Sequence, residues 1–183
     1  MSKSLLDQQA ERSLSELVEI IEQKWVLSTN IGSSHVKSVY ENYSKLTNEE
    51  EDQEVVVDSD KFANLSKCNQ FADKLKSELN NLFNYMSRLE QIVKNLGNLF
   101  EMELDFFSNI DKNEFKKELF ELKTNYLNEY QLKNFLVNEF LFKSRLKEEC
   151  QTTLISLWIN QPYIDEYLNF KIVSFIKFNL LKK

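Results

Sequence analysis

Residues 65–100, LSKCNQFADKLKSELNNLFNYMSRLEQIVKNLGNLF, decide the fold. Leu65, Cys68, Ala72, Leu75, Leu79, Leu82, Met86, Leu89, Val93, Leu96 and Phe100 follow one another by alternating steps of three and four, without a miss. Only an α-helix puts such positions on one face, and the alternation is the heptad of a coiled coil. A second file one position aside, Phe71, Tyr85, Ile92 and Leu99, makes the face wider than a two-stranded seam needs. The helix is therefore expected to pack on more than one neighbour, and to require a second chain to do so.

The composition agrees. A chain of 183 residues suffices for one domain with a real core, and 2 glycines and 1 proline leave almost nothing for tight turns or strand ends. A net charge of −6 argues against a general nucleic-acid surface, because phosphate binding works through Lys and Arg. Cys68 and Cys150 lie far apart with no CxxC spacing, which points to two reduced, buried thiols. The N-terminus lacks the apolar centre of a signal peptide, and no run approaches the ~20 apolar residues of a membrane span. The expectation is a soluble intracellular protein.

Along the chain, residues 1–46 form an N-terminal helix with Leu14, Val18, Ile21 and Trp25 on one stripe. Continuing that stripe reaches Ser28, Gly32, His35 and Val39, so Gly32 is a candidate kink, thinning or close-approach point. Residues 47–60 carry a block of acids and form a linker. Within it Val55 to Val57 could pair as a short strand, and Thr47, just ahead of the acids, is a candidate acidophilic-kinase site. The heptad helix takes 61–105, and 106–183 make a C-terminal helical region. There Ser108 or Asp111 can cap a third helix, whose stripe is Phe115, Leu119, Leu122 and Tyr126. Its continuation over 130–142 is rich in aromatics that suit a core or a partner interface. A fourth helix ends near Gln161, because proline disfavours helical geometry in the residue before it. Pro162 can occupy the first turn of a fifth helix, with Trp158 and Tyr163 packing around the corner. The fold expected is all-α and one domain: long antiparallel coiled-coil-like helices with a compact C-terminal helical corner.

Catalytic patterns are missing from the sequence. No glycine-rich phosphate loop is present, and His35 stands alone, without the partners a zinc or nucleophilic site requires. Adjacent acids such as Glu148 and Glu149 project in different directions from a helix. A non-enzyme without cofactor or metal is expected. The last helix sets Leu168, Ile172, Phe175, Ile176 and Leu180 beside Lys171, Lys177, Lys182 and Lys183. Such a face could meet an anionic membrane, but a closing helix needs the same stripe, and packing is the expected use.

The phrase LISLWINQPYID, with Leu154, Leu157, Trp158, Ile159, Gln161, Pro162, Tyr163 and Ile164, resembles the C-terminal signature of the cyclin-dependent kinase 2-interacting protein family. Weaker likenesses precede it in order: LVEIIEQKWVLSTNIGSSHV, then the leucine-heptad segment, then YLNEYQLKNFLVNEF. The resemblance implies a non-catalytic adaptor of nucleus and cytoplasm. Its partners would be a pair of AAA+ ATPases of the spermatogenesis-associated type and a second small coiled-coil accessory protein, in large ribosomal subunit maturation and in DNA replication and genome maintenance. Cyclin-dependent kinase 2 and checkpoint kinase complexes are further partners it implies. No Ser-Pro or Thr-Pro occurs in the chain, so a proline-directed kinase would bind it rather than modify it. The residues expected to meet partners are Trp25 on the first helix, Leu75, Leu82, Leu89 and Leu96 on the heptad, and Trp158, Gln161, Pro162 and Tyr163 at the corner. Direct contact with nucleic acid or membrane is not expected, and self-association is left open. The alternative is a structural coiled-coil subunit of another scaffold, such as a kinetochore or tethering complex.

Overall fold

The computed structural model describes residues 4–48, 58–102, 107–108, 110–142 and 148–179. Every regular element among them is helical: α1 (Leu5–Glu19), a π-helical turn (Ile20–Lys24), α2 (Trp25–Asn48), α3 (Asp58–Phe100), α4 (Lys112–Phe142), α5 (Glu148–Asn160) and α6 (Glu166–Asn179). The protein is all-α. The first three elements continue one another without a break, so Gly32 does not interrupt the helix. The departure from α geometry falls upstream of it, where the Trp25 N–H reaches back five residues to the Ile20 carbonyl. Both α2 and α3 extend into the 47–60 span expected as a linker. Val55 to Val57 lie outside the described residues, as do Leu180, Lys182, Lys183 and the side chains of Thr47 and Cys150.

Helix starts follow side chains that can take up orphan amides. Ser4 and Asp7 form a reciprocal capping box at α1. At α4 the cap is Asp111 rather than Ser108, its Oδ1 accepting from the amides of Asn113 and Glu114 at 3.0 and 3.1 Å. At α6 it is Asp165, which accepts from the Leu168 N–H at 2.9 Å. This corrects the expectation for Pro162. Proline can only tolerate a first turn, whereas Asp165 satisfies one, so Pro162 and Tyr163 make a turn and the helix begins at Glu166.

The chain divides into two compact units. The first takes Met1–Val26, Phe83–Tyr130 and Pro162–Lys183. Within it α3 and α4 run antiparallel: the Phe83 and Tyr130 rings lie 5.5 Å apart, and Lys116 reaches Glu101 at 2.7 Å towards the other end. α4 and α6 are antiparallel too, with the Asn169 amide donating to the Tyr126 hydroxyl and Phe115 lying 4.9 Å from Phe175. Trp25 meets the Tyr126 ring edge-on at 4.7 Å. Burial pushes the Tyr126 hydroxyl pKa up, against the Asn169 hydrogen bond, which pulls it down. Phe100 stacks edge-on with Phe107 and Phe115, closing the connection between α3 and α4.

The second unit takes Leu27–Leu82 and Gln131–Gln161. Its α2 and α3 are antiparallel, tied by Ser28 Oγ donating to the Glu78 carboxylate at 2.6 Å and, further along, by the Cys68 thiol donating to the Val39 carbonyl at 3.4 Å. Val39, Cys68 and Ala72 form a small core against which Tyr43 and Phe71 pack. Cys68 is a free, buried thiol whose pKa burial pushes up. His35 is half-buried, its ring 6.0 Å from that of Phe71.

The heptad stripe is covered by this chain itself. Leu75 and Leu82 in the second unit and Leu89 and Leu96 in the first are all 0% exposed. The expectation that they need a second chain is therefore corrected. A stripe widened by Ile92 and Leu99, both buried, matches several helices of one chain rather than one partner helix.

In the first unit Arg88 grips Glu16 with two hydrogen bonds, 2.6 and 2.7 Å, and this grip holds the Glu16 carboxyl below its ordinary 4.5. A depressed carboxyl adds stability above its unfolded pKa and loses it as pH falls through the folded one. Wild type should thus exceed Glu16→Gln at pH 7 by up to about 1 kcal/mol, the ceiling for an exposed pair. The gap should close in acid, below the ordinary 4.5, in urea titrations. A gap of equal size at pH 7 and in acid would show that the pair does not hold Glu16.

Candidate functional site

The second unit contains a polar cluster built around Trp158, which is 0% exposed. α5 delivers the Nε1 edge of the indole onto α2 at Gly32. A Cβ on that glycine would lie 2.5 Å from Trp158 Cζ2, so only a residue without a side chain lets the helix backbone and the ring meet. Of the three roles open to Gly32, close approach is the one it plays. The indole Nε1–H donates to the Thr29 carbonyl at 3.3 Å, an acceptor shared with the Ser33 hydroxyl at 2.9 Å. Thr29 Oγ1 in turn donates to Gln161 Oε1 over a long 3.4 Å.

Lys133, on α4, is also 0% exposed. A bare buried ammonium costs several kcal/mol, and two contacts offset that cost. Its Nζ donates to the Trp158 carbonyl at 2.7 Å and lies 4.5 Å from the centre of the Trp158 ring. The carbonyl belongs to the last turn of α5, where main-chain oxygens lack helical partners and a positive charge is favoured. Gln161 follows with φ 46°, a left-handed turn that side chains other than glycine adopt at a cost of about 1–2 kcal/mol. A right-handed continuation is disfavoured by Pro162.

In the first unit the carboxylate of Glu129, buried in α4, accepts from the Tyr163 main-chain N–H at 3.1 Å. The Tyr163 side chain faces out, 48% exposed, and Pro162 is exposed as well.

The residues expected to meet partners therefore separate. Trp25, Leu75, Leu82, Leu89, Leu96 and Trp158 are buried, and Gln161 is half-buried. Pro162 and Tyr163 remain on the surface, and Tyr163 does not pack around the corner as expected. The structure adds Thr29, Glu129 and Lys133. Two of these were visible in the pattern: stepping the stripe Phe115, Leu119, Leu122, Tyr126 onward by three and four lands on Glu129 and Lys133. Charges on a stripe position are buried charges and need specific partners. Thr29 had no such signal, since it matters through its main-chain carbonyl. The arrangement positions a helix end, and among the described residues no group of three or more His, Cys, Asp or Glu could hold a metal ion.

The two glycines make opposite predictions. Helix propensity alone favours Gly→Ala by about 1 kcal/mol. Gly97 has nothing within 4 Å of an added Cβ, so Gly97→Ala should stabilise by about 0.5–1 kcal/mol. At Gly32 the obstacle is a buried rigid ring, and overpacking should outweigh propensity for a net loss of about 1–3 kcal/mol. In a Trp158→Leu background the Gly32→Ala loss should vanish or reverse. A cycle by denaturant titration that showed no coupling between positions 32 and 158 would refute the contact.

Neither the protein-family models nor the curated proteins contain a match to this chain.

Proposed function

We propose that the chain is a non-catalytic helical adaptor of an AAA+ ATPase complex, acting in large ribosomal subunit maturation and in DNA replication and genome maintenance. It works in nucleus and cytoplasm beside a second small coiled-coil protein, with cyclin-dependent kinase 2 and checkpoint kinase complexes as further partners. The observation that supports this reading is the state of the phrase from Leu157 to Tyr163. Trp158 and Lys133 hold the end of α5, Gln161 turns left-handed, and Tyr163 is left pointing to solvent. In the first unit Glu129 holds the Tyr163 main-chain N–H, and a held backbone loses less entropy on docking. The adaptor's work is geometric: it adds binding area to the motor and leaves the ATP chemistry to it.

A scaffold subunit joined through the heptad was the alternative, motivated by an apolar stripe in need of another chain. Burial of Leu75, Leu82, Leu89 and Leu96 within the chain removes the need for a second chain from both readings, and the adaptor reading is kept for the phrase around Pro162.

The test is affinity purification of the full tagged chain from the cells that make it. Recovery of an AAA+ ATPase pair together with a small helical protein is expected. Tyr163→Ala changes an exposed side chain, so it should cut that recovery several-fold with helicity by circular dichroism unchanged. Wild type that brings down no AAA+ ATPase overturns the proposal.

A further inference from the structure

The buried face of α6 is Leu168, Ile172, Val173 and Ile176. Its opposite face is also apolar, with Tyr167 75% and Phe170 70% exposed. A helix that has already closed a core has no structural need for a second aromatic face, and solvent-facing aromatics of this size mark contact sites. Beside Phe170 runs an open groove of about 350 Å³, walled by α6 and by Ile21 and Glu22 of the π-helical turn. Single π turns inside long helices recur at functional positions, and this one supplies a groove wall.

Charge decides what fits there. Glu22 and Glu166 edge the groove, Asp165 caps the helix start, and Glu114 and Glu118 flank the far side through Lys171. Lys177 is held by both oxygens of Glu22 at 2.7 Å. Among the described residues the groove itself carries two carboxylates, Glu22 and Glu166, against the one ammonium of Lys177. An anionic membrane or a second copy of this chain, itself at −6, would meet like charge. We infer that α6 and the π-helical turn form a docking site for an amphipathic helix of another protein, its apolar stripe on Tyr167 and Phe170 and its flanks basic. Apolar anchors fill the groove, and rim charges steer approach and fix orientation. The inference rests on the adaptor reading only in taking the chain to act by binding other proteins.

The test places a photo-crosslinking phenylalanine analogue at position 170 of the full chain in the cells that make it, with the same analogue at exposed Lys94 as control. Crosslinked peptides should come from one segment of another protein with apolar residues at helical spacing and an excess of Lys and Arg. A synthetic peptide of that segment should bind purified wild type, and at least tenfold more weakly to Tyr167→Ser with Phe170→Ser, whose helicity should be unchanged. Crosslinks to a second copy, to lipid or to an acidic segment overturn the inference, as does a yield no greater than at position 94. If the crosslinked protein belongs to no ATPase complex, the docking site stands and the adaptor reading falls. If the ATPases are recovered but position 170 stays uncrosslinked, the reverse holds.

Discussion

One constraint organises both units: the apolar stripe of α3 has to be taken out of water. It runs from Cys68 to Phe100 with Leu75, Leu82, Leu89 and Leu96 wholly buried. Burying a leucine side chain contributes about 1.5–3 kcal/mol, so no arrangement that left four of them exposed could persist. In the second unit α2 runs antiparallel to the first half of α3; in the first, α4 runs antiparallel to the second half. What the heptad demands of a partner is supplied from within the chain.

The second unit then solves a narrower problem, how to satisfy a buried carbonyl in the last turn of a helix. The final carbonyls of α5 have no helical partners, and that of Trp158 lies in a buried contact. Lys133 supplies the donor and, in the same position, a cation over the indole face. The ring needs its own N–H satisfied and room for that edge, and the α2 backbone provides both at Thr29 and Gly32. Each group is there because another would be costly without it. Altering Gly32, Lys133 or Trp158 is thus expected to disturb the same corner.

The first unit leaves over what folding does not use. Tyr163, Tyr167 and Phe170 face solvent while Leu168, Ile172 and Ile176 fill the interior. Of the basic residues that made this helix resemble a membrane binder, the two described ones are engaged sideways, Lys171 by Glu114 and Glu118 and Lys177 by Glu22. No helix among the described residues is long and apolar enough to cross a membrane. The surface that remains carries large exposed aromatics beside a groove edged by Glu22, Glu166 and Lys177.

The sequence by itself determined the helical class, the course of the long helices, the buried file of α3 and the special nature of Gly32. These follow from periodicity and from the scarcity of glycine and proline, properties that act locally along one strand of chain. It also determined that the helix before Pro162 ends near Gln161. Only the tertiary structure decided which surface covers the heptad, because an apolar stripe specifies that it be buried and not by whom. It alone decided that α6 starts at Glu166 with Asp165 as its cap, since competing caps are separated by small energies that a distant acceptor such as Glu129 can tip. The π-helical turn and the part played by Thr29 were likewise out of reach of the sequence. A main-chain carbonyl is the same at every residue, and only its surroundings in space give it a role.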